Sequence, residues 1–131
     1  MRRLLLCLLL LASSAYAKDL GQWENGDPIV REWFRTLMRP DNPKVSCCGE
    51  ANAYWCDDIS VRNGRTYCRI TDDREDEPLQ RPHIDVGTEF YIPNLMIKWD
   101  RGNPTGHVVV FLADIGFGMR TVICFVQATG T

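Results

Sequence analysis

Cys47, Cys48 and Cys56 crowd the stretch SCCGEANAYWCDD, and Cys68 and Cys124 follow at wider spacing. Thiols in such a cluster can pair, hold a metal or attack a substrate. Metal fits worst. Adjacent Cys47 and Cys48 break the two-to-four-residue gap of a zinc knuckle, and adding His83 or His107 restores no familiar ligand pattern. Pairing suits an oxidising compartment, where disulfides persist and brace small domains. All five of these cysteines are disulfide candidates, and the odd count leaves at least one without an intrachain partner. Cys56 and Cys68 bracket an Asn63-Gly64 turn. With Arg62 opposite Arg65, Ile59 lies opposite Cys68, so only a bend after Cys56 brings those two sulfurs together. Cys124 can instead hold the last strand to the segment around Cys47 and Cys48. The spacing leaves these connectivities open.

Attack on a substrate needs a thiolate and a base. Ser46 is a capping residue type, and a helix over residues 47–55 would put Cys48 in its first turn. Open amides there stabilise a thiolate. His107 begins the strand-like run HVVVFL and supplies a base. This arrangement resembles the NlpC/P60 cell-wall peptidase family, in which a cysteine opens a helix and a later histidine begins a hydrophobic strand. Cys48-Gly49 and Gly106-His107-Val108 carry the resemblance. It implies cleavage of peptide bonds in peptidoglycan by Cys48 and His107. Cys47 and Gly49 stand where that family usually has Asp and Ser, and only Gln127 and Arg120 are left to orient the base.

Two further groups carry chemistry. The run ITDDREDEP offers Asp72, Asp73, Glu75 and Asp76 as oxygen ligands for calcium, although EF-hand spacing is absent and Arg74 opposes a cation. The simpler expectation for residues 71–82 is a solvated surface loop. The segment KWDRGNPTGH places Trp99, Arg101 and His107 around turn-forming Asn103, Pro104 and Gly106. Trp99 supplies contact area, Arg101 and His107 orient polar groups, and Tyr91 adds a hydrogen bond. Trp33 and Trp55 are read as core. No G-x-G-x-x-G or P-loop pattern occurs, and no cofactor is expected.

The elements that must position these residues follow from periodicity. Asp27 caps and Pro28 opens a helix whose stripe is Ile29, Val30, Trp33, Phe34, Leu37 and Met38, ending at Arg39-Pro40. Strands are expected over residues 59–62, 65–70, 88–92, 95–99, 107–113 and 119–126, with Asn63-Gly64 forming a primed hairpin turn. They are short and lack long helical crossovers, so antiparallel pairing is expected. The fold class is α+β: a small antiparallel β-barrel or strongly bent sheet, disulfide-braced, with one or two N-terminal helices.

Residues 1–17 carry Arg2 and Arg3, an apolar run and the A-x-A exit Ala15-Tyr16-Ala17, the order of a secretory signal peptide. The run is too short to span about 30 Å of hydrocarbon. Cleavage leaves residues 18–131 as one compact β-rich domain without a membrane span, and moves the formal charge from -2 to -4. An acidic chain without a basic stripe is not drawn to nucleic acid. The first expectation is therefore a periplasmic or secreted, non-enzymatic binding module for a protein, peptide or glycan of the cell envelope. The alternatives are a cysteine hydrolase using Cys48 and His107 and a calcium-stabilised structural domain.

Overall fold

The computed structural model describes residues 27–128; the expected signal peptide lies outside them. One helix and seven strands are present there: α1 (Pro28–Thr36), β1 (Ala53–Trp55), β2 (Asp58–Arg62), β3 (Arg65–Arg69), β4 (Glu89–Ile92), β5 (Ile97–Lys98), β6 (Val109–Gly116) and β7 (Met119–Val126). None of the described helices is long and apolar enough to cross a membrane.

Asp27 caps α1 by accepting a hydrogen bond from the Ile29 amide at 2.8 Å, with Pro28 behind it in the first turn. The helix stops at Thr36, two residues short of the expected apolar stripe. Leu37 turns extended, and residues 37–39 pair back on residues 45–47 through Arg39 N to Val45 O (2.8 Å) and Cys47 N to Leu37 O (3.0 Å). Pro40 favours extended backbone before it, and the returning chain satisfies the freed amides. Phe34 and Leu37 are buried, Val30 and Trp33 pack beside them, and Ile29 and Met38 at the ends of the stripe stay exposed.

The second helix expected over residues 47–55 does not form. Cys48 and Gly49 both take positive φ (72° and 74°), one 3₁₀ turn covers Glu50–Asn52, and the chain enters β1. Pairing of Ala53 with Phe111 and Tyr54 with Val110 overrides local helix preference. The strands arrange in the orders β1-β6-β7-β5 and β2-β3-β4. Every pairing is antiparallel except β5 with β7, which is parallel. The derived hairpin register holds, with Ile59 opposite Cys68 and Arg62 opposite Arg65, and Asn63 and Gly64 both at positive φ.

Cys56 continues the β1 ladder by bonding Val108 O, and the chain then bends at Asp57 into β2. The sheet is thus bent and unclosed, and the barrel alternative is not realised because no ladder among the described residues joins the two strand groups into a ring. Alternation along β6 sends Val109 and Phe111 toward α1, and Val110 and Leu112 toward β3 and β4. Cys47–Cys124 ties the 37–47 segment to β7, and Cys56–Cys68 joins the two strand groups across the bend. Among the described residues Cys48 is the free thiol.

The loop over residues 71–82 departs from the expected solvated surface. Asp72 and Arg81 are only 4% and 6% exposed. β6 covers one edge of β1; on the other, Thr71 N bonds Trp55 O (3.0 Å), Asp72 Oδ2 accepts from Trp55 N (3.0 Å), and Arg81 Nη1 donates to Ala53 O (2.9 Å). Arg81 also donates to Asp72 Oδ2 (2.7 Å), to Asp76 Oδ1 (2.8 Å) and to Arg74 O (3.1 Å). Burial opposes ionisation of Asp72, yet hydrogen bonds from Arg74, Arg81 and the Trp55 amide outweigh it and hold the carboxyl far below its usual range.

Removing one member of such a pair strands a buried charge. Arg81→Met should cost about 3–5 kcal/mol in urea unfolding. Asp72→Asn/Arg81→Met should cost clearly less than the sum of the single changes, and strict additivity would show that the two groups act independently.

Candidate functional site

One end of the four-stranded group collects the residues of interest. Trp55 lies opposite Val109, Val109 opposite Val126, and Lys98 beside Val126. The chain leaving β1, the connection from β5 to β6 and the exit from β7 therefore share that end.

His107 sits there in a fixed orientation. Its ring stacks on Trp55, with centroids 4.5 Å apart and planes 9° apart, and Arg74 places its guanidinium 3.7 Å from the Trp55 ring. His107 Nδ1 lies 2.8 Å from Asp57 Oδ2. An ionised carboxylate only accepts, so Nδ1 carries the proton and Nε2 is left with no protein partner among the described residues. Asp57 is itself held, with Oδ1 accepting from Val108 N (2.7 Å) and Oδ2 from the Thr71 hydroxyl (3.1 Å). Asp57 thus does the orienting work for which the sequence offered only Gln127 and Arg120. In the sequence Asp57 stands in the Asp57-Asp58 carboxylate pair ahead of the hairpin, one residue after Cys56 where the derived bend had to fall and within reach of the 71–82 loop, but nothing there joins it to His107.

The 99–106 loop is built around Asn103, which is 3% exposed. Asn103 Nδ2 donates to His107 O (2.9 Å) and Gln127 O (3.0 Å), while Oδ1 accepts from the Thr105 amide (3.0 Å) and hydroxyl (2.7 Å). Asp100 accepts from Trp33 Nε1 at 2.8 Å, fastening the loop to α1. Trp99 is left 81% exposed, and Arg101 is exposed beside it. Trp99, Arg101 and His107 therefore belong to one connection. Tyr91 does not join them: it lies on β4, with its ring 5.7 Å from Tyr67 and 5.8 Å from the Arg65 guanidinium carbon.

Cys48 stands apart from His107. Its thiol donates to Ser46 O at 3.7 Å, its amide donates to Ser46 Oγ at 2.9 Å, and no hydrogen bond joins it to the imidazole. The helix start that would stabilise its thiolate is missing. Burial pushes the thiol above its ordinary range, only partly opposed by the positive charge of Arg39.

The acidic run is engaged elsewhere. Asp72 holds Arg74 and Arg81, Asp76 holds Arg81 and His83, and Asp73 and Glu75 are exposed. Among the described residues no three His, Cys, Asp or Glu side chains converge to hold a metal ion. His83 is gripped from both sides, with Nδ1 2.6 Å from Asp76 Oδ2 and Nε2 2.7 Å from Asp85 Oδ1. Only the imidazolium donates at both nitrogens. Asp76 first and Asp85 second raise its pKa above the ordinary 6.5.

No protein-family model, curated protein or solved structure matches this chain.

Two outcomes follow from the titrating groups. Among Cys47, Cys48, Cys56, Cys68 and Cys124, iodoacetamide should label native protein at Cys48 alone, with a rate still climbing at pH 9; a plateau by neutral pH would show an activated thiolate. The His83 clamp contributes stability in full below the unfolded histidine value, and that stability is lost as pH rises through the raised folded value. Between pH 6 and 9 the urea midpoint should fall more in the parent than in His83→Gln, and parallel profiles would show that the clamp contributes nothing.

Proposed function

We propose that this chain is an exported, non-catalytic recognition module of the cell envelope, acting in the periplasm or outside the cell. Its ligand is a protein, peptide or glycan that contacts Trp99, Arg101 and the free Nε2 of His107. One observation carries the proposal: Trp99 is 81% exposed on a loop whose buried Asn103 satisfies its amide with four hydrogen bonds. A large aromatic side chain held out to solvent by a rigid support offers contact area with little ordering cost on binding.

A thiol hydrolase is the second class, favoured by the Asp57–His107 pair at 2.8 Å. Against it stand the bond of Cys48 to Ser46 O and the raised thiol pKa. A base without an activated nucleophile does not complete covalent catalysis.

Capture from a solubilised envelope extract on immobilised protein separates these classes. The parent should retain a component that Trp99→Ala/Arg101→Ala binds at least about 30-fold more weakly, the loss of about 2 kcal/mol expected at an interface anchor. Equal retention by both proteins would refute the binding role. Release of soluble muropeptides from purified sacculi by the parent but not by Cys48→Ala would move the assignment to hydrolysis.

A further inference from the structure

The outward face of β2-β3-β4 belongs to a different strand group from the one that carries the 99–106 loop, and it carries a second surface chemistry. Alternation and register place Arg62, Arg65, Tyr67, Arg69, Glu89 and Tyr91 on it. Tyr67 and Tyr91 are directly opposite each other on neighbouring strands, with ring centroids 5.7 Å apart and planes 53° apart. The Arg62 guanidinium carbon lies 4.0 Å from the Tyr67 ring and that of Arg65 5.8 Å from the Tyr91 ring. Glu89 is clamped by Arg62 at 2.5 Å and by Arg69 at 3.2 Å. Arg65 has no carboxylate partner among the described residues. Asp58 and Ser60 share the face, so three cations stand against two carboxylates. This is a net positive patch on a chain whose net charge is -2.

We infer that this face binds an oligosaccharide in which carboxylate-bearing sugars alternate with neutral ones. The Tyr91 ring, about half exposed, presents an apolar surface to the C–H face of a sugar ring, while Tyr67 packs beside it under Arg62. Arg65 offers a planar fork of donors to a carboxylate. Charge spacing decides against the competing occupants. Glu89 takes up Arg62 and Arg69, which leaves Arg65 as the arginine of this face without a carboxylate partner among the described residues. One open cation suits a ligand with widely spaced carboxylates better than one charged at every unit, such as an acidic peptide, and the Glu89 carboxylate accepts hydrogen bonds from sugar hydroxyls. The inference is independent of the loop assignment above, because none of these residues belongs to the 99–106 connection.

Affinity electrophoresis and calorimetry with hyaluronan octasaccharide, whose repeat joins a glucuronate to a neutral N-acetyl sugar, test it. The parent should bind this probe at least 10-fold more tightly than it binds neutral chitohexaose or poly-glutamate. Arg65→Gln and Tyr91→Ala should each weaken binding about 10-fold or more while their thermal midpoints stay within a few degrees of the parent's. Trp99→Ala/Arg101→Ala should bind the probe as the parent does. No binding by the parent, equal binding of poly-glutamate, or loss in the loop variant with retention in Arg65→Gln would each overturn the inference. If Tyr91→Ala unfolds, Tyr91→Leu, which keeps bulk without the aromatic face, replaces it with the same expectation.

Discussion

Strand β1 is three residues long and has a strand partner on one edge only. Its other edge must still satisfy the Trp55 amide and the Ala53 and Trp55 carbonyls away from water. A carboxylate and a guanidinium from the same loop meet two of these needs: Asp72 accepts from the Trp55 amide, and Arg81 donates to the Ala53 carbonyl. The Thr71 amide meets the third. Arg81 can be buried because at least four of its donor contacts are made and Asp72 is charged to match it. The rest of the site depends on this closure. It fixes the backbone of Trp55 and brings Arg74 over the indole, while the adjoining Thr71 hydroxyl holds Asp57. Asp57 then fixes His107.

The disulfides act on the same part of the chain from two sides. Cys56–Cys68 closes the bend where β1 gives way to β2. Cys47–Cys124 anchors the turn that precedes β1 onto β7. Each removes freedom from the unfolded chain, and a domain of this size draws a large share of its stability from such constraints. Cys48 is excluded by geometry. Its neighbour is already paired, its backbone takes a left-handed conformation, and its thiol turns to the Ser46 carbonyl.

Local signals in the sequence were legible where a residue type alone determines conformation. Asp27-Pro28 marked the start of α1, and Asn63-Gly64 fixed the hairpin and its register. The required bend after Cys56 followed from that register. What was not legible depended on distant partners. Residues 47–55 have a plausible helix start, but pairing with β6 converts their end to strand. The 71–82 loop looks solvated because its composition is polar, and nothing local shows that Asp72 and Arg81 face inward to cap a strand edge. The pairing of Asp57 with His107 was missed for the same reason, since the two lie 50 residues apart. Within the site, the 99–106 loop was recognisable from Asn103, Pro104 and Gly106, while Tyr91 was grouped with it by chemistry and separated from it by topology.

The account stands on the edge of β1 being sealed by side chains rather than by water. Amide hydrogen exchange at Trp55 in the native protein measures that seal. Exchange as slow as at Cys56, whose amide bonds the Val108 carbonyl in the ladder, is the expected result. Exchange at the rate of the solvent-exposed amides in the same protein would contradict it, because Asp72 would then not be holding the strand edge on which Trp55, Asp57 and His107 depend.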